Sequence, residues 1–382
     1  MIYADHAATT FVSEEARAAA LPFFCTDYGN ASSVYAFGRR ARRQVEEARA
    51  LTAGCIGASA EEIVFTGGGS EGNNTVLRGI VEQARKEGRR AHLIVSAMEH
   101  SSVLATCRAL EACGTAVTYL SVSHDGRIFI DSVVDALREE TLLVSVMLAN
   151  NEIGTVQDIA GLAAALHGTG VPLHTDAVQA VGHIPVDVHA LGVTYLTASA
   201  HKFHGMKGTG FLYQEAGAEL PALIAGGGQE RGRRAGTENT AGIAALAAAL
   251  TESCARMAEE AAHQRALVAF TAEELSRALP DLRVHGSGGA HLPGILNVGI
   301  PHVRGEALVH LLDLRGICVS AASACHAGTD APSHVLCAMG YDDGAAMEAL
   351  RISYGRGNTM EDAVAIVREI VRAVEKIRAL CD

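Results

Sequence analysis

Residues 195–204 read Tyr-Leu-Thr-Ala-Ser-Ala-His-Lys-Phe-His, and a loop rich in glycine follows at residues 205–210. The first five of these residues are typical of a buried strand. Lys202 comes just after that strand, where a lysine can form a Schiff base with a carbonyl compound. Most lysines are instead solvated cations at the surface. The rest of the chain decides between these two interpretations.

Length and composition indicate an ordinary globular protein. The chain has 382 residues, of which 49% are hydrophobic and 19% are charged, and its net charge is −12. The length suggests two domains, and the acidic balance argues against nucleic-acid binding. We see no signal peptide and no apolar run long enough to span a bilayer, so we expect no membrane association. The nine cysteines form no CxxC pair, which favours reduced thiols in the cytoplasm and no metal site.

Apolar strands alternate with helical segments from about residue 62 to residue 213. This order predicts an α/β fold with a mostly parallel sheet that is covered on both faces. Residues 237–279 have a helical pattern, and strands near Ile295–Val298 and Ile317–Ser320 follow them. We read the C-terminal part as a smaller α+β domain. The predicted division is a large cofactor-binding domain at residues 13–255 and a small domain made of residues 1–12 and 256–382.

Two motifs at strand ends suggest a bound phosphate and a bound ring. Gly67-Gly68-Gly69-Ser70 opens a helix directly after a strand, where backbone N–H groups and the helix N-terminus favour an anion. The alternative is a glycine-rich tight turn. Asp176 ends another apolar strand, and a carboxylate there can pair with a protonated ring nitrogen, as pyridoxal phosphate requires. The alternative for Asp176 is a helix N-cap.

Further candidates carry weaker signals. His100 follows a strand and is suited to cover a flat ring or to move protons, although a loop histidine that caps a helix explains it as well. Asn151 can donate to a cofactor oxygen or to a substrate carboxylate, or it can belong to a polar turn. Cys325 lies in a run of small residues, where a thiol can reach a bound substrate, or it is an inert packed residue. Arg351 and Arg356 lie on the same β-like run. Either one can bind a carboxylate through two hydrogen bonds, or it can be a surface charge.

Taken together, these motifs resemble those of the cysteine desulfurases, which are class V members of the aspartate-aminotransferase (fold type I) group of pyridoxal-phosphate enzymes. The resemblance covers nearly the whole chain and implies that fold, with a large domain and a smaller α+β domain. The matching stretches, in order, are residues 5–10, 29–33, 67–74, 149–152, 174–179, 199–202, 233–239 and 323–325.

The resemblance also implies a role for each candidate. Lys202 would hold pyridoxal 5'-phosphate covalently, Asp176 would pair with its ring nitrogen, and Gln179 would contact its phenolic oxygen. His100 would stack on the ring and move protons. The residues expected at the phosphate are Gly69, Ser70, Ser199 and His201, together with Thr237 from a neighbouring subunit, so that a homodimer is implied. Asn151, Arg351 and, with lower rank, Arg356 are expected at the substrate carboxylate.

The implied reaction converts L-cysteine to L-alanine. Lys202 takes the Cα proton, and the thiolate of Cys325 attacks the substrate sulfur and becomes a persulfide. The sulfur then passes to an acceptor or iron–sulfur scaffold protein, for iron–sulfur clusters or for tRNA thiolation. Selenocysteine lyase or another class V reaction is the alternative within enzymes. A non-catalytic adaptor with the same fold is the other alternative, and it would have no need of Lys202 or Cys325.

Overall fold

The structure, a computed structural model, describes residues 1–321 and 331–381. The strands are β1 (Ile2–Tyr3), β2 (Ile63–Thr66), β3 (His92–Ser96), β4 (Ala116–Leu120), β5 (Thr141–Ser145), β6 (Leu173–Asp176), β7 (Tyr195–Ser199), β8 (Gly210–Gln214), β9 (Arg283–His285), β10 (Ile295–Gly299), β11 (Ile317–Cys318), β12 (Ser320–Ala321) and β13 (Ala349–Ser353). The helices are α1 (Glu14–Ala20), α2 (Pro22–Cys25), α3 (Ala36–Gly54), α4 (Gly69–Lys86), α5 (Ser101–Glu111), α6 (Ile130–Ala136), α7 (Ile159–Leu166), α8 (Val188–Leu191), α9 (Thr240–Ala278), α10 (Gly305–Asp313), α11 (His334–Ala338), α12 (Asp343–Met347) and α13 (Met360–Cys381).

A seven-stranded sheet of order β2-β8-β7-β6-β5-β3-β4 forms the centre of the large part of the molecule. The pairs from β7 to β4 are parallel, and β8 runs antiparallel to both of its neighbours. The predicted α/β fold with a mostly parallel sheet is therefore confirmed. All of these strands except the edge strand β4 are buried along their full length, which explains why most of them are largely apolar in sequence.

Both faces of the large sheet are covered by apolar side chains. Phe65 and Ile94 belong to one buried cluster, whereas Val64, Leu93 and Val95 belong to another. Neighbouring residues of a strand point to opposite faces, so the two clusters lie on the two sides of the sheet. Helix α4 begins immediately after β2 and crosses the second of these faces, and it thereby places its first turn at the edge where the candidate residues collect.

A smaller antiparallel sheet of order β12-β13-β10-β9 lies in the C-terminal part, and β1 pairs with β11 in parallel beside it. Helix α9 contributes Leu246 to the core of the large sheet and Leu267 to the core of the small sheet. The predicted boundary at residue 255 thus falls inside one continuous helix, and the division into two domains stays a prediction. The strand expected at Ile317–Ser320 is split into β11 and β12, because Ile317 pairs with Ile2 whereas Ser320 pairs with Arg351.

Candidate active site

A cavity of about 380 Å³ lies at the carboxyl ends of the parallel strands. Asp176 and Ser199 are the last residues of β6 and β7, and His100 follows β3 by four residues. Ligands of open α/β sheets bind at this edge because the strands end there together. The cavity is lined by Ala7, Ala8, Gly69, Ser70, Asn73, His100, Ser102, Met147, Ala149, Asn151, Asp176, Val178, Gln179, Ser199, His201, Lys202 and Arg351.

Lys202 reaches the cavity from a short 3-10 turn that directly follows β7. Its Nζ donates hydrogen bonds to the backbone carbonyls of Ala7 at 2.5 Å and Ala8 at 2.8 Å. The side-chain amide of Gln179 donates to the same Ala7 carbonyl at 2.9 Å. The N-terminal arm of the chain therefore forms one wall of the cavity, and two of its carbonyls fix the position of the lysine.

Asp176 is a buried carboxylate that accepts two hydrogen bonds. Its Oδ1 accepts from the backbone N–H of Val178 at 3.0 Å, and its Oδ2 accepts from the side-chain amide of Asn73 at 2.7 Å. Asn73 also donates to the hydroxyl of Ser102 at 2.9 Å, which in turn bonds His100 Nδ1 at 2.8 Å. A continuous network thus joins the carboxylate to the candidate histidine.

His100 caps helix α5, as the alternative interpretation expected, and it lines the cavity as well. The Nδ1 atom accepts a hydrogen bond from the backbone N–H of Ser102 at 3.1 Å. Burial lowers the pKa of His100, with a partial opposing effect from the negative charge of Asp176. The neutral ring therefore carries its proton on Nε2, since Nδ1 is occupied as an acceptor.

The first turn of α4 forms a glycine-rich cradle beside the lysine that is suited to an anion. Gly68 has φ of +141°, a conformation that favours glycine, and a Cβ on Gly69 would lie 2.7 Å from Val178 Cγ2. Ser70, Ser199 and Gly69 line both the cavity and an adjoining open cleft. Backbone N–H groups at a helix N-terminus with two hydroxyl side chains form a suitable cradle for a phosphate.

His201 lines the same cavity and cleft as Gly69 and Ser70. Its pKa is lowered to about 4 by burial and by the neighbouring charges of Lys202 and Lys207. Its Nδ1 lies 3.2 Å from the hydroxyl of Thr9. The ring is consequently neutral near pH 7 and serves as a hydrogen-bonding group.

The two arginines from the sequence lie in different places. Arg351 is buried and lines the cavity, and its Nη1 donates to the backbone carbonyl of Asn151 at 2.9 Å. Arg356 forms ion pairs with Glu252 and, at 2.6 Å, with Glu260, and it is not among the residues that line the cavity. The structure thus brings Arg351, and not Arg356, next to Asn151.

Two other predicted residues stand apart from this group. Thr237 is exposed on the loop before α9 and does not line the cavity within this chain. Cys325 lies outside the residues that the structure describes.

The donor set fits pyridoxal phosphate. It combines a lysine amine, a buried carboxylate, a glycine-rich helix N-terminus with two serine hydroxyls, and a histidine, all around a space of about 380 Å³. The space has the usual dimensions of a small-molecule site. In the described residues no group of three or more histidine, cysteine, aspartate or glutamate side chains is arranged to hold a metal ion. No helix within residues 1–321 and 331–381 is long and apolar enough to cross a membrane.

The fold and this cavity define a class of enzyme. The profile of the aminotransferase class-V family matches residues 2–366, and the chain belongs to that family. The cofactor of the protein is pyridoxal 5'-phosphate, in agreement with the prediction from the sequence.

Individual proteins show which members of the family the chain is similar to. The chain is 40% identical over 379 residues to a cysteine desulfurase IscS of Dictyoglomus turgidum, covering 99% of this chain and 96% of that protein. The solved structure of a NifS-like protein matches with a TM-score of 0.91 and 34% identity over 98% of this chain and 99% of that one. The solved structure of SspA in complex with cysteine matches with a TM-score of 0.81 and 33% identity over 93% and 99% of the two chains. The resemblance to the cysteine desulfurases is thereby confirmed.

Sequence reasoning missed several residues of the cavity. Asn73 could have been found, because it lies three residues after Ser70 and therefore on the same face of the first helical turn. Ser102 lies two residues after His100, at the start of the helix that His100 caps. The carbonyls of Ala7 and Ala8 gave no signal, since any residue type supplies a backbone carbonyl.

Proposed function

We propose that the protein is a pyridoxal-phosphate-dependent cysteine desulfurase that converts L-cysteine to L-alanine and receives the sulfur as a persulfide on Cys325. The observation that carries the proposal is one cavity lined by Lys202, Asp176 and Arg351. This amino-acid chemistry needs three groups, namely an amine that can move a proton, an anion for a ring nitrogen and a cation for a carboxylate.

The bound cofactor would supply a carbonyl for the substrate amine and a ring that withdraws electrons from Cα. Asp176 would keep a proton on the ring nitrogen, because its buried carboxylate is held in place by Asn73. Lys202 would take the proton from Cα, and the carbonyls of Ala7 and Ala8 limit where its Nζ can lie. Arg351 and Asn151 would bind the substrate carboxylate and so fix which bond of Cα faces the lysine.

In the sulfur step, the thiolate of Cys325 would attack the substrate Sγ. The new S–S bond forms as the Cβ–Sγ bond breaks, and the electron pair that leaves Sγ ends as a C–H bond at Cβ after protonation. Alanine is released and the enzyme carries one additional sulfur atom. Thiolate character of Cys325 governs the rate of this step.

The test is an absorbance spectrum of the holoenzyme followed by assays of alanine and sulfide with L-cysteine. Wild type should turn over, and Cys325→Ala should bind the cofactor normally but lose at least about 100-fold in alanine production. Cys337→Ala is the matched control, since this thiol lies on α11 outside the cavity lining. A Cys325→Ala variant that still forms alanine at the wild-type rate would contradict the proposed role of the thiol.

We further propose a homodimer in which Thr237 reaches the phosphate site of the partner. Support comes from the exposed apolar side chains Leu21, Phe24, Tyr28, Val34 and Tyr35, which lie close together in the sequence and whose burial in a dimer would remove apolar surface from water. Light scattering on the holoenzyme should give twice the chain mass. Thr237→Ala should weaken cofactor retention, and a monomeric active enzyme would rule this arrangement out.

We also propose that the enzyme supplies sulfur to acceptor or iron–sulfur scaffold proteins in the cytoplasm. The names of relatives such as the IscS of Dictyoglomus turgidum and the unpaired cysteines of the described chain support it. Sulfur labelled in L-cysteine should move from Cys325 to a purified iron–sulfur scaffold protein. Absence of transfer from a loaded, active enzyme would exclude that acceptor.

A further inference from the structure

Arg351 is held from two sides and keeps one buried donor unused. Its Nη2 forms an ion pair with Asp5 Oδ1 at 2.6 Å, and its Nη1 donates to the Asn151 carbonyl at 2.9 Å. The Nε atom is buried and has no hydrogen-bond partner among the residues that the structure describes. Arg351 also lines the cavity, so an anion bound there would lie beside a guanidinium whose hydrogen bonds to protein groups are incomplete.

Asp5 contacts Arg351 without entering the cavity. The residue lies on the N-terminal arm, where it forms a parallel bridge with Ser353 of β13. Its second carboxylate oxygen accepts from the hydroxyl of Ser320 at 3.3 Å. Because Asp5 is absent from the cavity lining and Arg351 is part of it, the ion pair leaves the substrate space open.

The same arm also holds the lysine. Two and three residues after Asp5, the carbonyls of Ala7 and Ala8 accept from Lys202 Nζ. The Ala7 backbone N–H is fixed in turn by the Ser353 hydroxyl at 3.0 Å. One short segment therefore sets the positions of a carboxylate-binding cation and of a proton-moving amine.

We propose that Asp5 is a positioning residue that orients the Arg351 guanidinium for the α-carboxylate of the substrate, an inference that rests on the proposed function and deepens it. An arginine binds a carboxylate best when its planar fork is already aligned, because the ordering cost is then met before binding. Asp5 uses one N–H of Nη2 and restricts rotation of the whole group. Without Asp5, the guanidinium would lose this alignment, and substrate affinity would fall more than turnover.

The test compares Asp5→Ala and the isosteric Asp5→Asn with wild type as holoenzymes. We expect KM for L-cysteine to rise at least about 10-fold in Asp5→Ala, whereas kcat changes by less than about threefold. Cysteamine, which lacks the carboxylate, should shift the cofactor spectrum at the same concentration in all variants. Asp281→Ala is the matched control, since it removes another 2.6 Å carboxylate–arginine pair, with Arg378, away from the cavity.

A double-variant comparison separates positioning from a general structural effect. In an Arg351→Ala background, Asp5→Ala should change kcat/KM by less than about twofold, because Asp5 acts through the arginine. If Asp5→Ala does not fold, Asp5→Asn takes its place in the test, and a rise in KM for L-cysteine is expected of it as well. An unchanged or lowered KM, or an effect that persists without Arg351, would overturn the proposal. Failure of wild type to turn over L-cysteine would instead overturn the proposed function.

Discussion

The side-chain amide of Asn73 lies 2.7 Å from Asp176 Oδ2 and donates a hydrogen bond to it, joining the first turn of α4 to the end of β6. The carboxylate is buried, and both of its oxygens are occupied by donors. Asn73 keeps its own Oδ1 buried without a partner among the described residues. The two donors come from different parts of the chain and hold the Asp176 carboxylate in one orientation.

Asn73→Ala should therefore impair catalysis while the fold is retained. A hydrogen bond to a charged group contributes roughly 1.5–3 kcal/mol, so kcat should fall at least about 10-fold. Turnover of L-cysteine and the absorbance spectrum of the bound cofactor are the measurements. Asn74→Ala is the control, since that side chain bonds Thr106, Arg78 and the backbone carbonyl of Ser70 and does not bond Asp176. Equal activity in the two variants would contradict the role of Asn73.

The phosphate cradle gives a second prediction. An alanine at position 69 would bring its Cβ to 2.7 Å from Val178 Cγ2, so either the helix start or the Val178 side chain, which also lines the cavity, must shift. We expect Gly69→Ala to weaken pyridoxal-phosphate affinity at least about 10-fold, because the backbone N–H groups of the anion site move with it. Fluorescence titration of apoprotein with the cofactor measures this.

Gly54→Ala is the matched control for Gly69→Ala. Gly54 ends α3, and a Cβ there meets no atom within 4 Å. The variant should keep the wild-type cofactor affinity and gain up to about 1 kcal/mol in the free energy of unfolding, owing to better helix propensity. Tight cofactor binding by Gly69→Ala would show that the turn does not hold the phosphate.

The sequence predicted those site residues whose location follows from their local position at a strand end. Asp176 and Lys202 stand at strand ends, and strand ends of a parallel sheet converge, so their meeting in one cavity followed from the pattern. The contact of Asp5 with Arg351 could not be predicted in this way, since it joins residues 346 positions apart across β1, β11 and β13. These strands have two to five residues, and two of them are too short for periodicity to reveal.

Arg49 and Glu230 allow a prediction about stability. Both side chains are almost fully buried, and they form two hydrogen bonds of 2.7 and 2.9 Å. Glu230 also accepts from the Phe65 backbone N–H at 2.9 Å. Arg49→Ala leaves this buried carboxylate without its cation, and the cost should be about 3–5 kcal/mol in urea unfolding. Arg17→Ala, which breaks an exposed pair with Glu14, should cost less than about 1 kcal/mol. Similar losses in the two variants would contradict this account.

Glu99 yields a prediction about pH. It lies beside His100, is fully buried, and accepts from the Ser96 hydroxyl at 2.5 Å and the Met147 N–H at 2.8 Å. Burial raises the pKa of Glu99 from 4.5 to about 8, with a contribution from the nearby charge of Asp176. Near pH 7 the group is therefore neutral and adds no second negative charge beside Asp176.

The folded protein thus binds one more proton at Glu99 than the unfolded chain does between pH 4.5 and about 8. The contribution of Glu99 to the free energy of unfolding is greatest below that range. It falls as pH rises through the range, by at most about 1.4 kcal/mol per pH unit. Glu99→Gln keeps the shape of the neutral acid and removes the titration. Urea unfolding at several pH values is the measurement. The free energy of unfolding of Glu99→Gln should rise relative to that of wild type from pH 5 to pH 8, whereas that of the exposed variant Glu61→Gln should follow wild type throughout. Parallel curves for Glu99→Gln and wild type would mean that Glu99 is ionised in the folded protein.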